Sequence, residues 1–422
     1  MSKLEATVIV STDKKTPPLS INYLNRQLIA YIGNKRRLLP FLFQVFSTLS
    51  QKATIGKFLD PFAGSGAVSR LAKYMGYSVA TNDWEPYAEI VNFCYICIHR
   101  YELEDLFREK GGVAAVFTTI NNLQTEVEPY ISRYYAPENT EKADYRKERL
   151  FYTHENALFI DRVREWIEQQ YPGGMPGQRE RKEKYLLLSS LLYEAATHVN
   201  TSGVFKACHK GFGGHGKDAL SRIKAGAEME IPYLLNRDAF CSVSKMDAGD
   251  FVRGKSADLC YLDPPYNQHQ YGSNYHLLNT IALWDKPPVS SGLGPDGKLK
   301  DKAGIRKNWA VTKSDFCYSS TAARAFTELM DGIDARFIAL SYNTEGIIPF
   351  ENLCDILSRQ GSLQLFCEDY ILFRGGKQSI NRKDYNLEFI LVLNRKEKPG
   401  KGDFLDIRRF ILERKIVSLC KA

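Results

Sequence analysis

The chain has 422 residues, with 57 Lys and Arg against 49 Asp and Glu, a net charge of +8, 44% hydrophobic residues and 25% charged. That balance excludes a disordered or fibrous protein, and no run approaches the roughly 18 apolar residues of a membrane span. The N-terminal MSKLEATVIVSTDKK has neither the apolar core nor the cleavage pattern of a secretory signal, so a cytoplasmic protein is expected, and its basic charge favours a polyanionic partner.

From Lys57 strands and helices alternate. KFLD is a short apolar run, GAVSRLAKYMG has helical spacing with Val68, Leu71, Ala72 and Met75 on one face, SVATND reads as a second strand, and PYAEIVNFCYICI as a helix opened by proline. Such alternation predicts a parallel sheet covered by helices. Of nine cysteines only Cys94 and Cys97 lie close together, inside an apolar run without a second pair or a histidine. A zinc site needs four ligands, so buried thiols and no metal are expected.

Residues 101–235 read as mainly helical, broken at YPGGMPGQRERKEK. The strand rhythm resumes at FCSVSK and ADLCYLD, followed by a helix at YHLLNTIALW and a strand at ARFIALSYN. A basic insert, 285–320, carries Lys286, Lys298, Lys300, Lys302, Arg306, Lys307 and Lys313. Near the end LQLFCEDYILF and LEFILVLN flank the basic loop RGGKQSINRKDYN. Two strands so close must pair antiparallel, since a parallel return needs a crossover of about a dozen residues.

Two motifs carry chemistry. Asp60-Pro61-Phe62-Ala63-Gly64-Ser65-Gly66 follows a strand and opens a helix, where an α/β sheet binds nucleotides. It is not the dinucleotide fingerprint, because position 69 is Ser, and it has no P-loop lysine. About twenty residues on, Asp83 can accept hydrogen bonds from ribose hydroxyls and Trp84 can cover an adenine face. Asp263-Pro264-Pro265-Tyr266 follows the apolar ADLCYL, and its prolines make a rigid turn without N–H donors. A carboxylate and a backbone carbonyl can each accept one N–H of an aromatic amine, freeing a lone pair otherwise delocalised into the ring. Tyr266 suits a base flipped out of its stack.

With Tyr31-Ile-Gly-Asn-Lys35, the loop at 60–66 and the tetrapeptide at 263–266, in that order, the sequence resembles the Dam-like, alpha-group adenine-N6 DNA methyltransferases over about residues 26–100 and 236–395. The resemblance implies an α/β, Rossmann-like class I methyltransferase sheet, mostly parallel with a C-terminal antiparallel hairpin. A discontinuous catalytic domain (26–100 and 236–400) would carry a helical target-recognition region (101–235). It implies S-adenosyl-L-methionine as cofactor, double-stranded DNA as substrate and, in a restriction–modification setting, a cognate endonuclease. Tyr31, Lys35, Asp60, Phe62, Gly64, Gly66, Asp83, Trp84 and the pair Asp250-Phe251 would bind cofactor, with Asp247 the competitor for Asp250. Asp263, Pro264, Pro265 and Tyr266 would be catalytic. Asn34 stands where the family often has a second glycine.

For DNA, the segment NTSGVFKACHKGFGGHGK offers Asn200, Lys206 and Lys210, the insert offers Lys307, and the hairpin loop offers Lys377 and Arg382. His198 reads as structural. The rival readings are an RNA adenine-N6 methyltransferase and a catalytically silent DNA-binding protein. Cytosine-N4 and glutamine methylation fit less well, since those groups carry Ser or Asn where Asp263 stands.

Overall fold

The computed structural model describes residues 8–11, 21–172, 177–368, 388–400 and 404–411. Eight strands form one sheet: β1 (Val8–Ser11), β2 (Lys57–Asp60), β3 (Ser78–Asn82), β4 (Cys241–Ser244), β5 (Ser256–Leu262), β6 (Asp334–Asn343), β7 (Ser362–Glu368) and β8 (Glu388–Asn394). Their spatial order is β1-β7-β8-β6-β5-β2-β3-β4. Every pairing is parallel except those of β8, which runs antiparallel to both β6 and β7. This is the Rossmann-like methyltransferase sheet that the sequence predicted, closed by the expected antiparallel pair. The hairpin is not simply appended: β8 inserts between β6 and β7, so its Ile390–Leu393 run is buried on both faces.

The central strands alternate between two cores. In β5, Leu259 and Tyr261 join the cluster on one face, while Cys260 and Leu262 join that on the other. Burial on both faces explains why these strands read as continuous apolar runs. The first cluster extends without a break into the middle region, taking in Phe117, Ile131, Ile160 and Leu186. Helices His154–Gln170 and Gln178–Thr197 pack on each other, and the second also meets helices Pro86–Asn92 and His276–Leu283.

The basic insert is folded back onto this framework. Arg306 is buried, paired with Asp285 at 2.6 Å, and Arg149 donates to the carbonyls of Ser290 and Asp301, each at 2.6 Å. Helices Leu39–Lys52, Ala322–Gly332 and Phe350–Ser358 complete the layers. No helix among the described residues is long and apolar enough to cross a membrane. All described cysteines are free thiols, with Cys94 buried.

One topological feature positions the site. The chain leaves β2 toward β3 and β4, then returns to lay β5 on the other side of β2. Ligands of open α/β sheets bind where the strand order reverses, beyond the carboxyl ends of the strands. Asp60 and Asp263 stand at those two ends.

Candidate active site

A cavity of about 270 Å³ opens over this point, lined among others by Tyr31, Lys35, Asp60, Gly64, Asp83 and Asp263. Phe62, Trp84, Pro265 and Tyr266 also face it, whereas Gly66 and the buried Pro264 lie behind its wall. One cavity thus gathers residues from all three motifs.

The loop after β2 is held in shape by side chains. Gly64 and Gly66 both have positive φ, +51° and +77°, which favours glycine. A Cβ on Gly64 would stand 3.0 Å from the Tyr31 ring, and one on Gly66 would stand 2.5 Å from Asn92 Oδ1. The Gly64 N–H donates to Asp83 Oδ2 at 2.8 Å, and the Glu85 N–H donates to Asp83 Oδ1 at 2.9 Å. Asp83 therefore orders the loop with one lone pair of each oxygen and keeps others for a ligand. Tyr31 is stacked against Tyr275 and Tyr271, centroids 4.8 and 5.2 Å away, and the Ile32 N–H donates to the Tyr275 hydroxyl at 2.7 Å.

Charge inside the cavity is costly, and the carboxyls register it. Burial pushes Asp60 up to about 7, against the hydroxyl of Ser69, which donates to Asp60 Oδ2 at 2.6 Å. Its Oδ1 is buried without a hydrogen-bond partner. Burial also lifts Asp263 to about 6, although the Lys35 ammonium 3.1 Å away pulls it down. Burial opposes the Lys35 charge in turn, but Asp263 and Tyr266 hold that ammonium well above its ordinary value. Lys35 also lies 5.1 Å from the centre of the Tyr266 ring, whose other neighbour is Tyr342, edge-on at 5.8 Å.

Three placements depart from expectation. Phe251 is wholly buried in the core beneath the sheet, and Asp250 turns outward to pair with Arg253 at 2.5 Å. The cavity wall there is Met246 to Gly249, so Asp247, the competitor, is the acidic side chain that faces it. Asp247 caps the Ala248–Val252 helix, accepting from the Gly249 N–H at 2.8 Å. The cap turns Asp250 and Phe251 away. Asn200 is fully buried: it donates to the carbonyls of Leu150 and Gly211 and accepts from the Gly213 N–H, so it ties the glycine-rich loop and does not face a ligand. Asn34 caps the turn Lys35–Leu38 by accepting from the Arg36 N–H at 2.8 Å.

Lys206, Lys210 and Lys307 are exposed, while Lys377 and Arg382 lie outside the described residues. The Phe205 N–H donates to the Asn274 carbonyl at 2.7 Å, so Lys206 is carried on a loop docked beside the helices that follow the tetrapeptide. His198 is structural as expected, its ring nitrogens engaged by the Arg222 carbonyl and Glu194.

Glu85 was missed by sequence reasoning. It lines the cavity, is buried, and accepts from the Asn279 amide at 2.5 Å; burial lifts its carboxyl to about 7. Its position two residues after Asp83 was the available signal. Among the described residues no group of His, Cys, Asp and Glu side chains is placed to hold a metal ion.

Sheet order and cavity together define a Rossmann-like methyltransferase. Residues 31–347 match the family model described as D12 class N6 adenine-specific DNA methyltransferase, and the chain belongs to that family. It is 30% identical to the type II methyltransferase M.NlaIII of Neisseria lactamica over 377 residues, covering 86% of this chain and 99% of the relative. It is 28% identical to the type II methyltransferase M.CviAII of Paramecium bursaria Chlorella virus 1, covering 82% and 93%. The modification methylase LlaI of Lactococcus lactis is 27% identical over 87% of this chain and 55% of its own length.

Proposed function

We propose that the chain transfers a methyl group from S-adenosyl-L-methionine to the N6 amine of an adenine in a specific sequence of duplex DNA, with the base flipped into the cavity. The observation that carries this reading is the shared cavity: Asp263 and Tyr266 stand beside the 60–66 loop, so an amine held by the tetrapeptide lies next to a cofactor held by the loop.

The donor set suits that cofactor. Asp60 Oδ1 is a buried acceptor without a partner, matched to a cationic ammonium. Asp83 and Trp84 offer a ribose acceptor and a flat face, and Asp247 lines the cavity on the neighbouring strand end, where Asn82 exchanges hydrogen bonds with Met246. The cofactor, when bound, supplies a methyl group already activated on a cationic sulfonium. The chain's own task is to orient the amine and redistribute its charge. The Asp263 carboxylate accepts one N6 hydrogen and a backbone carbonyl of the tetrapeptide the other, drawing the nitrogen toward tetrahedral geometry. Lys35 keeps that carboxylate ionised in a buried setting. Tyr266 covers the base face.

The relatives' names support the modification half of a type II restriction–modification system, with a cognate endonuclease sharing its DNA target. Lys206, Lys210 and Lys307 supply phosphate contacts. The test is methyl incorporation from labelled S-adenosylmethionine into unmethylated DNA and matched RNA, with nucleoside analysis and sequencing of modified sites. N6-methyladenine at one short DNA motif is expected. Label confined to RNA overturns the substrate, and no label in either overturns the activity.

A further inference from the structure

The turn Lys307–Thr312 runs straight into the wall of the cavity, because its last residue, Thr312, and the residues after it as far as Phe316 line that cavity. It is firmly held from beneath. Arg306 is buried and paired with Asp285, and its Nε donates to Asn308 Oδ1 at 2.5 Å. Gln270, four residues beyond Tyr266, brackets Ser314: its amide donates to the Ser314 carbonyl at 3.1 Å, and its oxygen accepts from the Ser314 N–H at 2.8 Å. The Thr312 hydroxyl donates to the Trp309 carbonyl at 3.2 Å. Phe316 meets Phe62 of the cofactor loop edge-on, centroids 5.2 Å apart. The approach to the Tyr271–Asn274 helix is so close that a Cβ on Gly272 would stand 2.7 Å from Thr312 Oγ1.

On top of this rigid base stands an apolar side chain with no cover. Val311 is 77% exposed, the most exposed large hydrophobic described after Phe240, and it is flanked by exposed Lys307 and Lys313. The Lys313 ammonium lies 5.3 Å from the centre of the Trp309 ring in the same turn. A lone exposed valine on a flexible loop would need no explanation. Here it is fixed on a turn whose last residue and those that follow line the cavity, with exposed Lys307 and Lys313 on either side of it along the chain. A β-branched side chain also loses little χ1 freedom when it is fixed in place. Apolar side chains that part neighbouring bases are a recurrent device for distorting a duplex.

We propose that Val311 is a positioning residue, a wedge that occupies the gap left in the DNA stack when the target adenine rotates into the cavity, with Lys307 and Lys313 on the flanking phosphates. The proposal rests on the DNA reading above. The wedge acts on the cost of opening the pair, which is lowest for a base already mismatched.

The test compares the parent, Val311→Ala and Val311→Ile on two duplexes carrying the methylated motif, one fully paired and one with a mismatch opposite the target adenine. Val311→Ala is expected to slow methylation of the paired duplex about tenfold and to leave the mismatched one within about twofold of the parent, because the mismatch removes most of the opening cost. Val311→Ile should restore the paired rate. With 2-aminopurine at the target position, the variant's fluorescence on binding the paired duplex should fall in step. Val311→Ala rates equal to the parent on both duplexes, or lowered equally on both, overturn the wedge. A parent that methylates neither duplex overturns the DNA reading itself, and is distinguished by that silence.

Discussion

The ammonium of Lys35 and the carboxylate of Asp263 meet at 3.1 Å with only 6% and 17% of their side chains exposed. The acceptor proposed for the N6 hydrogen is therefore half of a buried ion pair, and its charge depends on its partner. Asp263 stands at about 6 with Lys35 present. The protonated form cannot accept the hydrogen, so turnover should fall as pH drops through about 6. Lys35→Met removes the counterion and leaves burial unopposed, which should move the acidic limb upward by about one to three pH units, the usual effect of a close opposite charge. Lys35→Arg should restore the limb. The pH profile of single-turnover methylation checks this, and an unmoved limb in Lys35→Met removes the pair from the mechanism.

Asp60 offers a separation of stability from binding. Its folded value, about 7, lies above the ordinary carboxylate value of 3.8. The folded chain thus holds that proton longer than the unfolded chain, and the site's contribution to stability falls as pH rises from about 4 to about 7. Asp60→Asn removes the penalty while the Ser69 hydroxyl keeps an acceptor. The variant's advantage in unfolding free energy should be small near pH 4, grow toward pH 7 and then level, reaching on the order of a few kcal/mol, and its Tm should rise in step. Its affinity for S-adenosylmethionine should drop about tenfold or more, since a charge-assisted contact contributes roughly 1.5–3 kcal/mol. Calorimetric titration measures the second effect and thermal melts the first. Unchanged affinity would remove Asp60 from the cofactor site.

The two acids near β5 are distinguishable. Asp247→Asn keeps an N-cap acceptor but loses the charge facing the cavity, and should weaken cofactor binding several-fold with little change in Tm. Asp250→Asn loses only an exposed ion pair with Arg253, of the kind that contributes about 0–1 kcal/mol, and should leave cofactor binding unaltered. The reverse ranking in a binding titration would reinstate Asp250.

In the glycine-rich loop, Lys206 and Lys210 are exposed while Asn200 is buried in its base. Replacing both lysines by Gln should reduce the slope of log K against log salt by about 0.9 per lost phosphate contact. Asn200→Ala should instead lower Tm, since buried backbone groups lose their partner at about 1–3 kcal/mol. An unchanged salt slope in the double variant excludes the loop from the interface.

Asp60, Asp83 and Asp263 were legible in the sequence because each ends a short apolar strand and is followed by turn residues, a local pattern that needs no tertiary information. Lys35 was marked by its motif, yet its ion pair with Asp263 was invisible, since the two residues lie far apart along the chain and meet only in the folded cavity. Asp250-Phe251 looked right as an acidic–aromatic pair. On a five-residue helix, however, the direction of the cap decides which side chain faces the cavity, and the cap is Asp247. The insert read as a basic segment offering DNA contacts because lysines dominate it, whereas it is tied down by Arg306, buried against Asp285, and by Arg149, which holds the Ser290 and Asp301 carbonyls.

The strand and helix alternation from Lys57 onward, the two strand-end motifs and the antiparallel close of the sheet were determined by the sequence alone, through periodicity, proline, glycine and spacing that act between near neighbours. The edge strand β1 went unread. Tertiary structure decided which faces those elements turn to one another. It placed β8 between β6 and β7, raised the Asp60, Glu85 and Asp263 carboxyls by withdrawing water from them, and set Thr312–Phe316 against the cavity. Desolvation and ion pairing depend on atoms far apart along the chain, so no local pattern of residues could encode them legibly.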